Sequence, residues 1–448
     1  MSDVNQKIPA TSRLRRLQWT MLALMIVGYM LLYVDRATLS VANPLVRDEM
    51  KISISEMGVL LSAFLWTNCL LQIPMGGLID KFQPRIVFYV SMIFWSFAQI
   101  LGGLVGSFTQ FIGARVLLGV GEAPYTVNAA LGTRHWFNVR ERGSATGAWS
   151  AGSTLGNALS IPLLTYLMLT FGWRWMFIIM GIFGLALGGL FFALYKNPKQ
   201  LSLTAEEQAH LSEGEKPSEL TTSSGVWRDC KLLFRFKTTW GLAIGWFGPV
   251  YVAWFYFAWL PNYLQTDRHI SIAKTGWVGA IPFIAGVVGA LLGGRITDVL
   301  VRKGFSPLNS RRYPIVLAML LTGVLTVIIA ETPNAVVAVT CISLSFLMIY
   351  IASAATLATP TIIAPMHVTG SIGGIQAFGG YIGSALAPMI TGFIVDASGS
   401  FKLALLLGAA VAFITPLLYF VLVREPISQE QLDAALRPAR STGNAGVL

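Results

Sequence analysis

The sequence predicts an all-α membrane protein whose twelve transmembrane helices form two six-helix bundles. Three observations predict it. Only 12% of the 448 residues are charged against 54% hydrophobic, about half the charge of a soluble domain. The apolar residues come in long blocks, such as 21–33, 58–71 and 403–423. One polar stretch, 196–238, divides the chain near its middle. A span needs ~20 mostly apolar residues, because only a closed helix satisfies its own backbone in lipid. The 44 glycines suit close helix packing, since small residues let backbones approach.

Taken in order, the predicted spans are 19–42, 54–78, 84–106, 108–133, 144–168 and 173–195, then 239–264, 274–298, 312–331, 334–357, 369–395 and 401–423. The basic residues before the first span precede an apolar run too long for a cleaved leader, so a retained first helix is expected. With the N-terminus placed in the cytoplasm, 24 of the 32 Lys and Arg fall on the cytoplasmic side and six on the other. That bias predicts a multi-pass membrane protein with both termini inside. It also accounts for the net charge of +11 without nucleic acid. The domains expected are 1–195, a linker at 196–238, and 239–448. Within the linker, Thr204 is placed to cap one short surface helix.

A small repeat relates the halves. Gly76-Gly77-Leu78-Ile79-Asp80 closes the second span, and Gly293-Gly294-Arg295-Ile296-Thr297-Asp298 closes the eighth. Each Asp follows a Gly by one helical turn. Gly admits a neighbouring helix, and the Asp pairs with a loop Arg or caps a helix. Asp80, Asp298 and Arg142 are therefore candidate gating residues. Internal repeats suit two halves that rock around a central site.

Four ionisable residues fall inside spans: Asp35, Arg36, Arg115 and Glu122. Each costs about 2.5–3.5 kcal/mol to insert at a helix centre, so such groups face a bundle interior or a watery cavity. Their formal charges cancel. Arg115 and Glu122 are seven residues apart, hence on one helix face about 10.5 Å apart along the axis. Asp35 and Arg36 point roughly 100° apart, so one is free to pair with the fourth span while the other faces the pathway.

Several strings narrow the class. They are Tyr33-Val34-Asp35-Arg36 with Leu39-Ser40-Val41-Ala42, Gln72-Ile73-Pro74-Met75-Gly76-Gly77, and the run from Arg115 through Gly119, Gly121 and Glu122 to Pro124. Trp136-Phe137 with Arg140-Glu141-Arg142, Gly172-Trp173-Arg174-Trp175-Met176-Phe177 and Trp259-Leu260-Pro261-Asn262-Tyr263-Leu264 follow. Over nearly the whole chain, tails and linker apart, this resembles the anion:cation symporter family of the major facilitator superfamily, which includes proton-coupled sugar-acid transporters. The resemblance implies coupling protons on Asp35 and Glu122, and a substrate carboxylate drawn to Arg36, Arg115 or both. Arginine keeps its proton, which suits it to hold an anion rather than to carry protons. The competing reading is an internal salt-bridge set that fixes helix register, and for Arg115 the two readings weigh equally.

Polar and aromatic groups on the spans expected to line the pathway complete the candidate substrate site: Tyr33, Asn68, Gln72, Ser153, Asn157, Tyr256, Gln376 and Tyr381. Asn128, Asn262, Ser384, Trp254 and Tyr350 are further candidates. Each competes with plain helix–helix packing, where a polar bond is worth ~0.6 kcal/mol. Sugar-acid members often carry Tyr where Asn68 stands, Gln where Ser153 stands and Asn where Ala377 stands. The resemblance therefore implies a larger, less amide-rich pocket, with room for another aldonate, an aldarate, a hexuronate or an aromatic carboxylate.

No Walker motif, metal spacing or nucleophile–base set is present, so an enzyme or an ATP-driven pump is not expected. Cys69, Cys230 and Cys341 imply no disulfide framework. His135, His210, His269 and His367 are assigned no role. No cofactor is expected beyond a coupling proton, with sodium as the other candidate ion. The expected partners are a small organic anion and the lipid bilayer, with the protein a monomer. A facilitator or exporter of the same fold, and a carboxylate sensor, are the competing functions.

Overall fold

The computed structural model describes residues 10–79, 83–139, 141–213, 231–365 and 368–436, without the side chains of 72–79, 199 and 433–436. Among these residues every regular element is helical. The first half comprises α1 (Ser12–Met50), α2 (Ile54–Ile79), α3 (Pro84–Leu104), α4 (Phe108–Trp136), α5 (Arg142–Phe171) and α6 (Trp173–Leu194). A short α7 (Ala205–Ser212) lies in the linker. The second half comprises α8 (Lys237–Thr266), α9 (Ile272–Val278), α10 (Ile281–Arg302), α11 (Asn309–Glu331), α12 (Ala335–Leu357), α13 (Pro360–Ile363), α14 (Thr369–Ser398) and α15 (Lys402–Leu422), followed by α16 (Gln429–Leu436).

The predicted spans all appear, with two differences. First, α1 runs to 39 residues. Thr11 caps its start by accepting from the Leu14 N–H, and Lys51, with φ of 54°, ends it in the left-handed region. Second, the eighth predicted span is broken into α9 and α10. The break falls at Gly279–Ala280, just before Pro282, which lacks the N–H a continuous helix would use. With α9 and α10 taken as one crossing, eleven helical segments among the described residues are long and apolar enough to cross a bilayer. The long helix outside that set is α4, whose interior holds Arg115, Glu122 and Asn128.

Within the first bundle α1 packs on α5, α3 on α4 and α6, and α2 on α4. In the second, α8 packs on α14 and α15, α12 on α10 and α11, and α11 on α15. Across the interface α2 meets α14, α1 meets α8, and α5 meets α9 and α10. The named cross-contacts lie on the face opposite the linker. A Cβ added at Gly58 would stand 2.8 Å from the Pro388 carbonyl oxygen, and one at Gly392 would stand 2.8 Å from that of Ile54. The backbones of α2 and α14 touch there because neither residue has a side chain. Ser40 donates to the Phe257 and Ala258 carbonyls at 2.9 and 2.7 Å, and Ser55 donates to Asp396 at 2.7 Å. On the linker face, Gly143, Gly147, Gly294, Gly370 and Gly374 look into open space among the described residues.

The linker helix begins as predicted. Thr204 caps α7 in a reciprocal capping box with Glu207. Glu207 also accepts from the Thr11 hydroxyl at 2.7 Å. That bond, with the Thr204 backbone N–H, holds its carboxyl below the usual carboxylate range. Glu141, in the loop between α4 and α5, pairs with Arg15 at 2.8 Å and faces His210 at 3.4 Å. Hence α7 is tied to the first bundle. Asp80, Lys81, Arg140, Cys230 and His367 lie outside the described residues. Cys69 and Cys341 are buried and free.

Candidate functional site

The buried charges gather where α1, α2 and α4 meet. The side chains of Asp35, Arg36, Arg115 and Glu122 are all buried. Arg36 Nε donates to Glu122 Oε2 at 2.7 Å. Its Cζ lies 4.9 Å from the ring centre of Tyr33, 5.6 Å from that of Phe64 and 5.9 Å from that of Trp254. Arg115 Cζ lies 4.6 Å from the centre of the same Phe64 ring. One phenyl ring therefore serves both guanidinium groups, and its quadrupole attracts each of them. The two-turn spacing of Arg115 and Glu122 on α4 brings both to this cluster, with Gly119 between them. A Cβ there would stand 2.5 Å from the Phe64 carbonyl oxygen, so Gly119 lets α2 and its aromatic ring close on α4.

The four charges divide into a bonded pair and a loose pair. Arg36 and Glu122 are hydrogen-bonded. Asp35 and Arg115 have no hydrogen-bond partner for any side-chain polar atom among the described residues, and Glu122 Oε1 is also unbonded. The groups in electrostatic reach of Asp35 are Glu122, Arg115 and the Trp95 indole. Both acids and both arginines thus balance one another within one small volume. That arrangement meets the demand that intramembrane charges be neutralised collectively. Only one nitrogen of Arg36 is committed; its two Nη groups donate to no described residue. That edge of the guanidinium has the fork geometry that binds a carboxylate through two parallel hydrogen bonds.

The second bundle completes the surroundings with neutral groups. Trp254 from α8 packs its ring 5.9 Å from that of Phe64. Tyr381 from α14 lies in electrostatic reach of Arg36 and Tyr33. Tyr350 from α12 faces Asn157 on α5 and Tyr33 on α1. Of the sequence-predicted substrate residues, Tyr33, Asn157 and Tyr381 therefore join the cluster, and Asn68 is buried on α2, one turn beyond Phe64.

Three others are engaged elsewhere. Tyr256 shares a hydrogen bond with Thr326 of α11 at 3.1 Å, inside the second bundle. Ser153 donates back to the Ser150 carbonyl of its own helix at 2.7 Å. Gln376 donates to the Thr356 carbonyl at 3.1 Å, which ties α14 to the end of α12. The Gln72 side chain lies outside the described residues. Of the candidate gating residues, Arg142 closes the end of α4 by donating to the Phe137 and Arg134 carbonyls, each at 3.0 Å. Asp298 is exposed near the end of α10. Sequence reasoning missed Phe64 and Tyr29. The Tyr29 ring meets Tyr33 edge-on at 5.2 Å and Trp149 at 5.1 Å. The four-residue spacing of Tyr29 and Tyr33 was the available signal.

Two helix bundles packed on one another, with self-neutralising charges buried on the inner helices of the first, define a secondary transporter. The chain belongs to the Major Facilitator Superfamily, whose family model matches residues 25–388. It is 38% identical over 427 residues to the "Probable L-galactonate transporter" of Escherichia coli (strain K12), covering 95% of this chain and 94% of that protein. It is 32% identical to the "D-galactonate transporter" of Escherichia coli O6:H1, covering 91% and 96%. Among solved structures, a bacterial homolog to the human lysosomal transporter Spinster superposes with a TM-score of 0.76 at 17% identity, covering 91% of this chain and 97% of that one. The protein is a multi-pass membrane transporter and not an enzyme.

Proposed function

We propose that the protein takes up a sugar acid together with protons across a bacterial inner membrane. The observation that carries this reading is the half-committed Arg36. One edge holds Glu122 at 2.7 Å, while the Nη groups donate to no described residue amid the rings of Tyr33, Phe64 and Trp254. A substrate carboxylate takes the Nη edge, hydroxyls of the sugar acid bond to Tyr33, Tyr381 and Asn157, and its C–H groups rest on Trp254. An arriving anion competes with Glu122 for Arg36, and a Glu122 displaced from its partner takes up a proton. Asp35, buried beside Arg115, is the second proton carrier. Binding and protonation are thereby coupled through one guanidinium. The relatives named for galactonate support an aldonate, with L-galactonate the first to test.

The moving units in this reading are 1–195 and 239–448, joined by the linker at 196–238. The loop-charge bias supports a cytoplasmic linker and cytoplasmic termini. The conformation described above is then the inward-open one, sealed by Gly58, Gly392 and Ser40. Uptake of labelled L-galactonate into proteoliposomes tests the proposal under an imposed pH gradient or an imposed sodium gradient. Accumulation driven by the pH gradient alone is expected. Accumulation driven only by sodium would replace the coupling ion, and absence of uptake for every aldonate, aldarate and hexuronate would overturn the substrate class.

A further inference from the structure

We propose a binding site for one anionic phospholipid on the outer wall of the second bundle, independent of the transport reading. A groove of about 630 Å³ runs between α10, α11 and α12, and its exposed lining is almost wholly apolar. Leu300, Leu317, Leu321 and Met348 form its length, and Phe305 and Tyr313 stand at its end toward the linker face. Leu317 is 62% exposed and Leu321 41%, so the slot opens sideways into the hydrocarbon layer. The Phe305 and Tyr313 rings meet edge-on at 6.1 Å, which gives the slot an aromatic mouth.

The residues flanking that mouth are strongly cationic. Arg302 and Lys303 close α10 just before Phe305, and Arg311 and Arg312 open α11 just before Tyr313. Asp298 is the sole acid between 295 and 312. None of the four cations forms an ion pair among the described residues. Arg311 is held by the Pro307 carbonyl at 2.9 Å and the Ser310 hydroxyl at 3.2 Å. Arg312 is held over the Phe420 ring at 3.7 Å. The Nε of each is buried without a hydrogen-bond partner. Two arginines at the positive end of a helix dipole also have the wrong sign for that position.

Arg302 and Lys303 are exposed beside Phe305, so an anion at this mouth meets positive charge that no acid compensates. Its attachment to an acyl chain fills the adjoining slot. Phosphate joined to hydrocarbon is the chemistry that satisfies both parts, and a net negative headgroup matches the uncompensated charge.

The test uses full-length protein in neutral detergent. It is incubated with phosphatidylglycerol or with phosphatidylcholine of the same acyl chains, and bound lipid is counted by native mass spectrometry. Wild type is expected to retain a single phosphatidylglycerol with at least tenfold preference. The Arg311→Gln, Arg312→Gln double variant should lower that preference to under twofold. Lys303→Gln, at an exposed position, should lower it about threefold, and it preserves the test if the double variant does not fold. Leu317→Trp, which fills the slot, should reduce retention of both lipids. Equal retention of the two lipids by wild type, or an unchanged preference in Lys303→Gln, would overturn the proposal. Thermal protection by inorganic phosphate equal to that by phosphatidylglycerol would overturn it too, because the acyl slot would then contribute nothing.

Discussion

The two bundles differ in what they bury. The first carries Asp35, Arg36, Arg115 and Glu122 in its interior. Among the described residues, the second offers the same central volume only neutral groups, chiefly Trp254, Tyr350 and Tyr381. Fold symmetry therefore does not extend to chemistry. One half holds charge and the other supplies a neutral wall that approaches it. This division has a physical logic. Buried charges need fixed partners, and partners on the same bundle stay together while the bundles move. Had Glu122 paired with an arginine of the second bundle, the rocking motion itself would break a buried ion pair at a cost of several kcal/mol, with no anion or proton to replace the lost partners.

That contrast is broken most severely by Glu122→Gln. Accumulation against a gradient should fall to the equilibrium level, while counterflow of labelled against unlabelled substrate persists. Unchanged accumulation would remove Glu122 from coupling. Next in size is Arg36→Lys, which keeps the charge but loses the planar fork. KM should rise at least tenfold, equivalent to ~1.4 kcal/mol of binding; a KM within twofold of wild type would show that a point charge suffices.

Gly58→Val tests the seam between the halves. A side chain there meets the Pro388 carbonyl and the Gly392 backbone, so the closed face should be held apart. Cysteines introduced on that face should label several-fold faster from outside than in the parent protein. On the neutral wall, Trp254→Ala should raise KM only about three- to tenfold and leave the pH dependence of uptake unchanged. A shift in that pH dependence would give the second bundle a part in coupling.

The smallest effect concerns the linker. The folded pKa of Glu207 is depressed, so its contribution to docking α7 is complete above the ordinary carboxylate value of about 4.3. It is lost as pH falls below that range. Limited proteolysis of the linker should accelerate on acidification in wild type, and should be faster but pH-insensitive over that range in Glu207→Gln.

How much of this was legible in the sequence follows from what a helix pattern carries. Span positions and the four charges were readable because lipid penalises polar groups wherever they fall along a helix. The split between α9 and α10 was also written in Gly279 and Pro282, inside an apolar run that masked it. Side-chain partners were not readable. Tyr256 sits on a helix with neighbours on several sides, and only packing decides that its hydroxyl meets Thr326 instead of the charge cluster. Gln376 likewise turns to the Thr356 carbonyl. Phe64 looks like any core aromatic until two guanidiniums are seen against it.

The length of α1 has a further consequence. Arg36 and Ser40 stand one turn apart on a single continuous helix, about 6 Å along its axis. Arg36 reads the central volume, and Ser40 clasps the Phe257 and Ala258 carbonyls across the sealed face. A rigid turn cannot rotate at one residue and stay still at the next. Any twist of α1 that re-aims the guanidinium also drags the hydroxyl off its two carbonyls. The helix thus works as a camshaft, on which sensing and unlatching are two lobes of one rod, timed by their angular offset.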